Sequence, residues 1–166
     1  MAIQGNIQIR RFRRGDLPVI KKLIFDTIDT CYPAGYPKEA IQYFKQYHCN
    51  KNILKGAAEG HTIVLKKNNR VIATGTILGD HILRVFVDPQ FQGRGLGKLI
   101  MNKLEEKAIS SGIKAVILDA SLPSKKFYDS LGYTTLEKTY VKVDNGKKLH
   151  YYKMNKNLRF LFEEQK

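Results

Sequence analysis

Residues 92–98 read Gln-Gly-Arg-Gly-Leu-Gly-Lys and join a strand-like run, HILRVFV (81–87), to an amphipathic stretch from Gly95 to Ser111. Three alternate glycines cost conformational entropy at a helix start. Such a loop is expected where backbone must approach a ligand closely. Without β-carbons at Gly93, Gly95 and Gly97, the N–H groups of the loop are accessible. The first turn of the helix adds unpaired donors and the positive end of its dipole. Arg94 and Lys98 add full charges. The combination predicts a site for a phosphate or pyrophosphate. It is not a nucleotide P-loop, because Gly97-Lys98 is followed by Leu99 and Gln92 stands where the first glycine belongs. It also lacks the third glycine of a dinucleotide fingerprint, where Lys98 stands instead.

Periodicity places the remaining elements. Residues 6–11 alternate as a short strand, and Asp16 is placed to cap a helix carrying Leu17, Ile20, Leu23, Ile24 and Ile28. CYPAGYP (31–37) breaks that helix, and a second is expected from Lys38 to His48. Residues 61–67, 70–78 and 81–87, joined by Asn68-Asn69 and Gly79-Asp80, read as three antiparallel strands. After the glycine loop comes a helix with Leu96, Leu99, Ile100, Leu104 and Ala108 on one stripe, and Lys98, Asn102, Lys103, Glu105 and Glu106 covering the rest. KAVILDA (114–120) is a buried strand, residues 121–130 a short helix, and 133–143 with 147–155 a final hairpin. Leu158, Phe160, Leu161 and Phe162 suit a docked turn or a dimer contact. The order β-αα-βββ-α-β-α-ββ holds one parallel crossover in an otherwise antiparallel set, which is an α+β sandwich with a mixed sheet.

The 166 residues are 43% apolar and 27% charged, which excludes disordered and fibrous classes. Lys plus Arg total 29 against 15 Asp plus Glu, a formal charge of +14 that favours an anionic partner. Helix-turn-helix, zinc-finger and aromatic RNA-binding signatures are absent, so no dedicated nucleic-acid site is expected and most of the charge reads as solvated surface. Cys31 and Cys49 read as free thiols, and His48, His61, His81 and His150 lack metal-ligand spacing, so no metal is expected. No apolar stretch is long enough for a signal peptide or a membrane span, and a cytoplasmic location without membrane attachment is the expectation.

Gln92-Gly93-Arg94-Gly95-Leu96-Gly97 resembles the Gln/Arg-x-x-Gly-x-Gly/Ala signature of the GCN5-related N-acetyltransferases, the GNAT superfamily. Ser121-Leu122-Pro123-Ser124-Lys125-Lys126-Phe127-Tyr128-Asp129-Ser130-Leu131-Gly132-Tyr133 resembles that family's Asn-x-x-Ala-x-x-Phe-Tyr-x-x-x-Gly-Phe segment, with Ser121 and Ser124 replacing the Asn and Ala. The resemblance is strongest over 82–133. It implies a single domain over 1–166 with a three-layer α/β arrangement: a mixed, mostly antiparallel sheet of about seven strands with helices on both faces. It implies acetyl-CoA as acetyl donor, with its pyrophosphate on Gln92, Gly93, Arg94, Gly95, Leu96, Gly97 and Lys98. The pantetheine arm would lie on Val85, Phe86 and Val87, with Ser121 and Ser124 close to coenzyme A. Tyr128 matches the family's general acid, and a backbone N–H near Val87 its oxyanion donor.

The partner is then an amine acceptor, small molecule or protein, and a homodimer is the family's expectation. The acceptor pocket is expected within 25–60, where Phe25, Tyr32, Tyr36, Tyr43, Phe44 and Tyr47 cluster. The general base is left open among Asp80, His81, Glu39 and a chain of water molecules. A non-catalytic acyl-CoA-binding module on the same fold is the alternative.

Overall fold

The computed structural model describes residues 6–158. Phe160, Leu161 and Phe162, assigned above to a docked turn or dimer contact, lie outside the described residues. The strands are β1 (Ile7–Arg11), β2 (His61–Lys67), β3 (Arg70–Leu78), β4 (His81–Val87), β5 (Ala115–Ser121), β6 (Thr134–Lys142) and β7 (Lys148–Asn157). They form one sheet in the order β1-β2-β3-β4-β5-β7-β6. Every neighbouring pair is antiparallel except β4 and β5. The helices are α1 (Leu17–Cys31), α2 (Lys38–Tyr47), α3 (Asn50–Glu59), α4 (Leu96–Ser110) and α5 (Lys125–Ser130). None among the described residues is long and apolar enough to cross a membrane.

The central strands are apolar on both faces because both are covered. In β2, Ile63 and Leu65 join one hydrophobic cluster and Val64 the other, as a period of two requires. The first cluster packs Leu96, Ile100, Met101, Leu104 and Ala108 of α4 against Leu65, Ile82 and Leu118. The second packs Ile20, Leu23, Ile24 and Ile28 of α1 against Val64, Phe86 and Leu149. Each fully buried isoleucine or leucine contributes about 1.5–3 kcal/mol, so these two stripes dominate cohesion of the layers.

Three local expectations are corrected. Asp16 does not cap α1. Its carboxylate accepts two 2.8 Å bonds from the Arg10 guanidinium and one of 2.7 Å from the Arg13 N–H, tying β1 to the turn before the helix. Residues 50–59 form a third helix that periodicity missed. Its buried glycine, Gly56, is a poor helix former, but a β-carbon there would stand 2.8 Å from Nη1 of Arg84. Glu105 is not on the solvent face of α4. It is 4% exposed and accepts bonds from the Tyr133 hydroxyl (2.9 Å) and the Lys156 ammonium (2.9 and 3.1 Å).

Two features of β4 position the site. First, its parallel pairing with β5 lasts only for His81↔Ile117 and Ile82↔Leu118; beyond that the strands part. Second, the register against β3 passes from Thr76↔Leu83 to Thr74↔Phe86, so Gly75 alone opposes Arg84 and Val85. This is a β-bulge, and it bends the strand. Arg84 takes φ +54° there, in the left-handed region that a long side chain rarely occupies. Gly75 is required opposite it, since a β-carbon would come within 2.6 Å of Ile100 and 2.9 Å of Leu104.

Candidate active site

A cavity of about 660 Å³ occupies the gap where β4 and β5 separate. Arg84, Val85 and Phe86 line it from β4, Asp119 and Ser121 from β5, and Tyr128 from α5. Tyr32, Tyr43, Phe44, Tyr47 and His48 close it from α2 and its neighbours. Of the aromatics expected at the acceptor pocket, Phe25 and Tyr36 are not in its wall. The Tyr36 hydroxyl donates to the His150 carbonyl (2.6 Å) and accepts from the Leu122 N–H (2.8 Å). It anchors the Pro-Gly loop to β7 and to the turn before α5.

The glycine loop divides its labour. Gly93 (φ +73°) and Gly95 (φ +79°) need the left-handed region, and a β-carbon on either would meet nothing within 4 Å. They leave the loop open to an incoming group. Gly97 lies inside the first turn of α4, where a β-carbon would stand 2.9 Å from the Phe127 ring. Its glycine is therefore set by the close packing of α4 on α5 as well as by access. The first bond of α4 runs from the Leu99 N–H to the Gly95 carbonyl, so the N–H groups of Leu96, Gly97 and Lys98 stand ahead of the helical ladder. Gln92 turns inward, donating from its side-chain amide to the Val87 carbonyl at 3.0 Å, and so holds the loop to the end of β4. Beside the loop, the Phe91 ring carries Arg94 and Arg70, each 5.4 Å from its centroid, and Lys67 at 5.6 Å. This collects cations next to the open N–H groups.

Tyr128 is 8% exposed, and its ring packs edge-on against Phe127 (5.1 Å) and Tyr133 (5.8 Å). Burial pushes its phenol above the ordinary tyrosine range, so the hydroxyl is protonated at neutral pH. Ser121 and Ser124 line the cavity and share a 2.7 Å hydrogen bond across the turn that leads into α5.

Among the open candidates for a base, Asp80 and His81 line the cavity, whereas Glu39 lies away from it and accepts a bond from Asn145 (3.0 Å). Asp119, not singled out from the sequence, stands 3.8 Å from Nε2 of His81. Its carboxylate raises the His81 pKa, and burial opposes the rise. At that separation they share no hydrogen bond, and they become an ion pair once His81 takes up a proton. The available signal for Asp119 was a lone carboxylate inside the apolar run KAVILDA, as Arg84 is the lone charge inside HILRVFV.

His48 is 6% exposed, stacks edge-on against Phe86 at 5.2 Å, and its Nδ1 has no hydrogen-bond partner among the described residues. Burial, with Arg84 adding to it, lowers its pKa to about 3. The unfolded chain takes a proton near 6.5 and the folded chain refuses it until about 3, so stability should fall as pH falls through that window. The slope is at most about 1.4 kcal/mol per pH unit. Urea unfolding at pH 7 and pH 5 should show a larger loss for the native chain than for His48→Gln; equal losses would count against it.

The residues 33–157 match the model of the acetyltransferase (GNAT) domain. The chain belongs to the GNAT acetyltransferase family. Over 58 residues it is 45% identical to a glucosamine 6-phosphate N-acetyltransferase of Trypanosoma brucei brucei, covering 35% of this chain and 40% of that protein. The chain spans between 40% and 62% of the curated relatives it matches. Its fold superposes on a GCN5-related N-acetyltransferase structure from Rhodopseudomonas palustris, with a TM-score of 0.85, 21% identity, and coverage of 95% of this chain and 99% of that one. The PaiA N-acetyltransferase of Thermoplasma acidophilum, solved in complex with coenzyme A, superposes with a TM-score of 0.70, 16% identity, and coverage of 92% and 99%. The seven-stranded mixed sheet with helices on both faces is thus the GNAT fold.

Proposed function

We propose that this chain transfers the acetyl group of acetyl-CoA to a primary amine by direct attack of the amine on the thioester carbonyl. The observation that carries the reading is the parting of β4 and β5 after two paired residues, with the Tyr128 phenol in the wall of the cavity so formed. The N–H groups of Leu96, Gly97 and Lys98, with Arg94 and the cations around Phe91, hold the pyrophosphate. The Val85–Val87 edge, facing the gap rather than a strand, takes the amides of the pantetheine arm as an added strand would. A backbone N–H near Val87 stabilises the charge that develops on the carbonyl oxygen. His81, paired with Asp119 in the cavity wall, accepts the proton released by the attacking amine. Tyr128 donates its proton to the departing thiolate as the carbon–sulfur bond breaks.

Saturating acetyl-CoA should raise the melting temperature. At a hundredfold excess over Kd the gain is about 2.7 kcal/mol, or on the order of 5–10 °C for a chain of this size. No shift at millimolar acetyl-CoA would sink the reading. Binding without thiol release across an amine panel would mark a non-catalytic acyl-CoA-binding module instead.

A further inference from the structure

We infer that the acceptor carries an anionic group, carboxylate or phosphate, that docks on Arg84 and His48 on the helical side of the cavity. This rests on the acetyl-transfer reading and names the substrate class for the same site.

Arg84 is half-buried, yet among the described residues no carboxylate lies within 4.0 Å of it and no acceptor hydrogen-bonds its guanidinium. Its Nε is a buried donor without a partner among the described residues, and Nδ1 of His48 is a buried nitrogen without one. Its contact is the Tyr47 ring, 5.7 Å away, which offsets only part of the cost of desolvating a full charge. The placement is enforced from three sides. The bulge opposite Gly75 puts Arg84 at φ +54°, Gly56 lacks the β-carbon that would block Nη1, and Phe86 holds the His48 ring. A strained backbone and a glycine in a helix interior are both unfavourable in isolation, so the observed outlier points to a function for the group it presents.

The charges in the cavity wall are segregated. Lys55 of α3 joins Arg84 in the wall, whereas the two carboxylates of the wall, Asp80 and Asp119, both act on His81. An acceptor with an amine and an anion matches both ends: ammonium toward His81 and Asp119, anion toward the guanidinium. A planar guanidinium takes carboxylate and phosphate alike through paired N–H donors.

The test uses matched pairs titrated calorimetrically into the protein saturated with coenzyme A, which permits no turnover. Glucosamine 6-phosphate is compared with glucosamine, and phenylalanine with phenylalaninamide. At least one anionic member should bind about tenfold or more tighter than its neutral partner, the range of a charge-assisted hydrogen bond. The pair showing the preference tells phosphate from carboxylate. Arg84→Gln should abolish the preference, Arg84→Lys should keep part of it, and both should bind coenzyme A as the native chain does, which also reports folding. Equal binding within both pairs, no binding by any of the four compounds at millimolar concentration, or a preference that survives Arg84→Gln would overturn the inference while leaving acetyl transfer intact. Failure to bind coenzyme A would overturn the acetyl-transfer reading instead, and the same titrations on the free protein then judge Arg84.

Discussion

Replacing Tyr128 with phenylalanine should lower kcat at saturating acetyl-CoA by about a hundredfold, the lower end of what a positioned general acid contributes, and leave coenzyme A affinity little changed. The split between the two readouts follows from the geometry. Ring packing against Phe127 and Tyr133 is retained in the variant, so the α5 segment stays in place and only the hydroxyl is lost. That hydroxyl is held protonated by burial, and it lines the cavity into which the thiolate would be released. Stopped-flow detection of free thiol with excess amine separates the chemical step from product release. An unchanged rate would remove Tyr128 from the acid role and leave it as a packing residue.

The largest stability effect is expected at Glu105. Changing it to leucine should cost about 3–5 kcal/mol, because an ammonium and a phenol are left without their acceptor in a buried site. For a domain of this length that is a fall in melting temperature of roughly 6–20 °C. The carboxylate ties α4 to β7 through Lys156 and to the turn before β6 through Tyr133. Its own burial is offset by those three bonds. The double variant Glu105→Leu with Lys156→Met should recover much of the loss, since an apolar pair replaces the ion pair without an orphaned charge. A melting temperature unmoved by Glu105→Leu would mean that water already satisfies Lys156.

Much of the fold was legible because its signals are short-ranged. The alternation in 61–87, the turn residues at 68–69 and 79–80, and the stripe of α4 each depend on neighbours within a few positions. What was missed depends on distant partners. Helix α3 is only 10 residues long and carries an interior glycine, and the space that Gly56 leaves is occupied by Arg84, on another element. Glu105 looked like a solvent residue because nothing near it in the chain announces Lys156 or Tyr133. Gly97 looked like a ligand-access residue because its packing partner Phe127 is on α5.

The candidate site divides in the same way. The sequence by itself determined the glycine-rich turn into α4, since Gly93 and Gly95 need backbone angles that other residues rarely adopt and the helix dipole follows directly from where α4 begins. It also carried the Phe127-Tyr128 segment and the family resemblance. Only the tertiary structure decided that β4 and β5 part after Ile82 and Leu118, and that Asp119 faces His81. It alone decided that Arg84 and His48 line the cavity with Nε and Nδ1 lacking a hydrogen-bond partner among the described residues. The reason is that backbone conformation is largely a local property, whereas the cost of burying a charge is settled by groups that other elements bring to it.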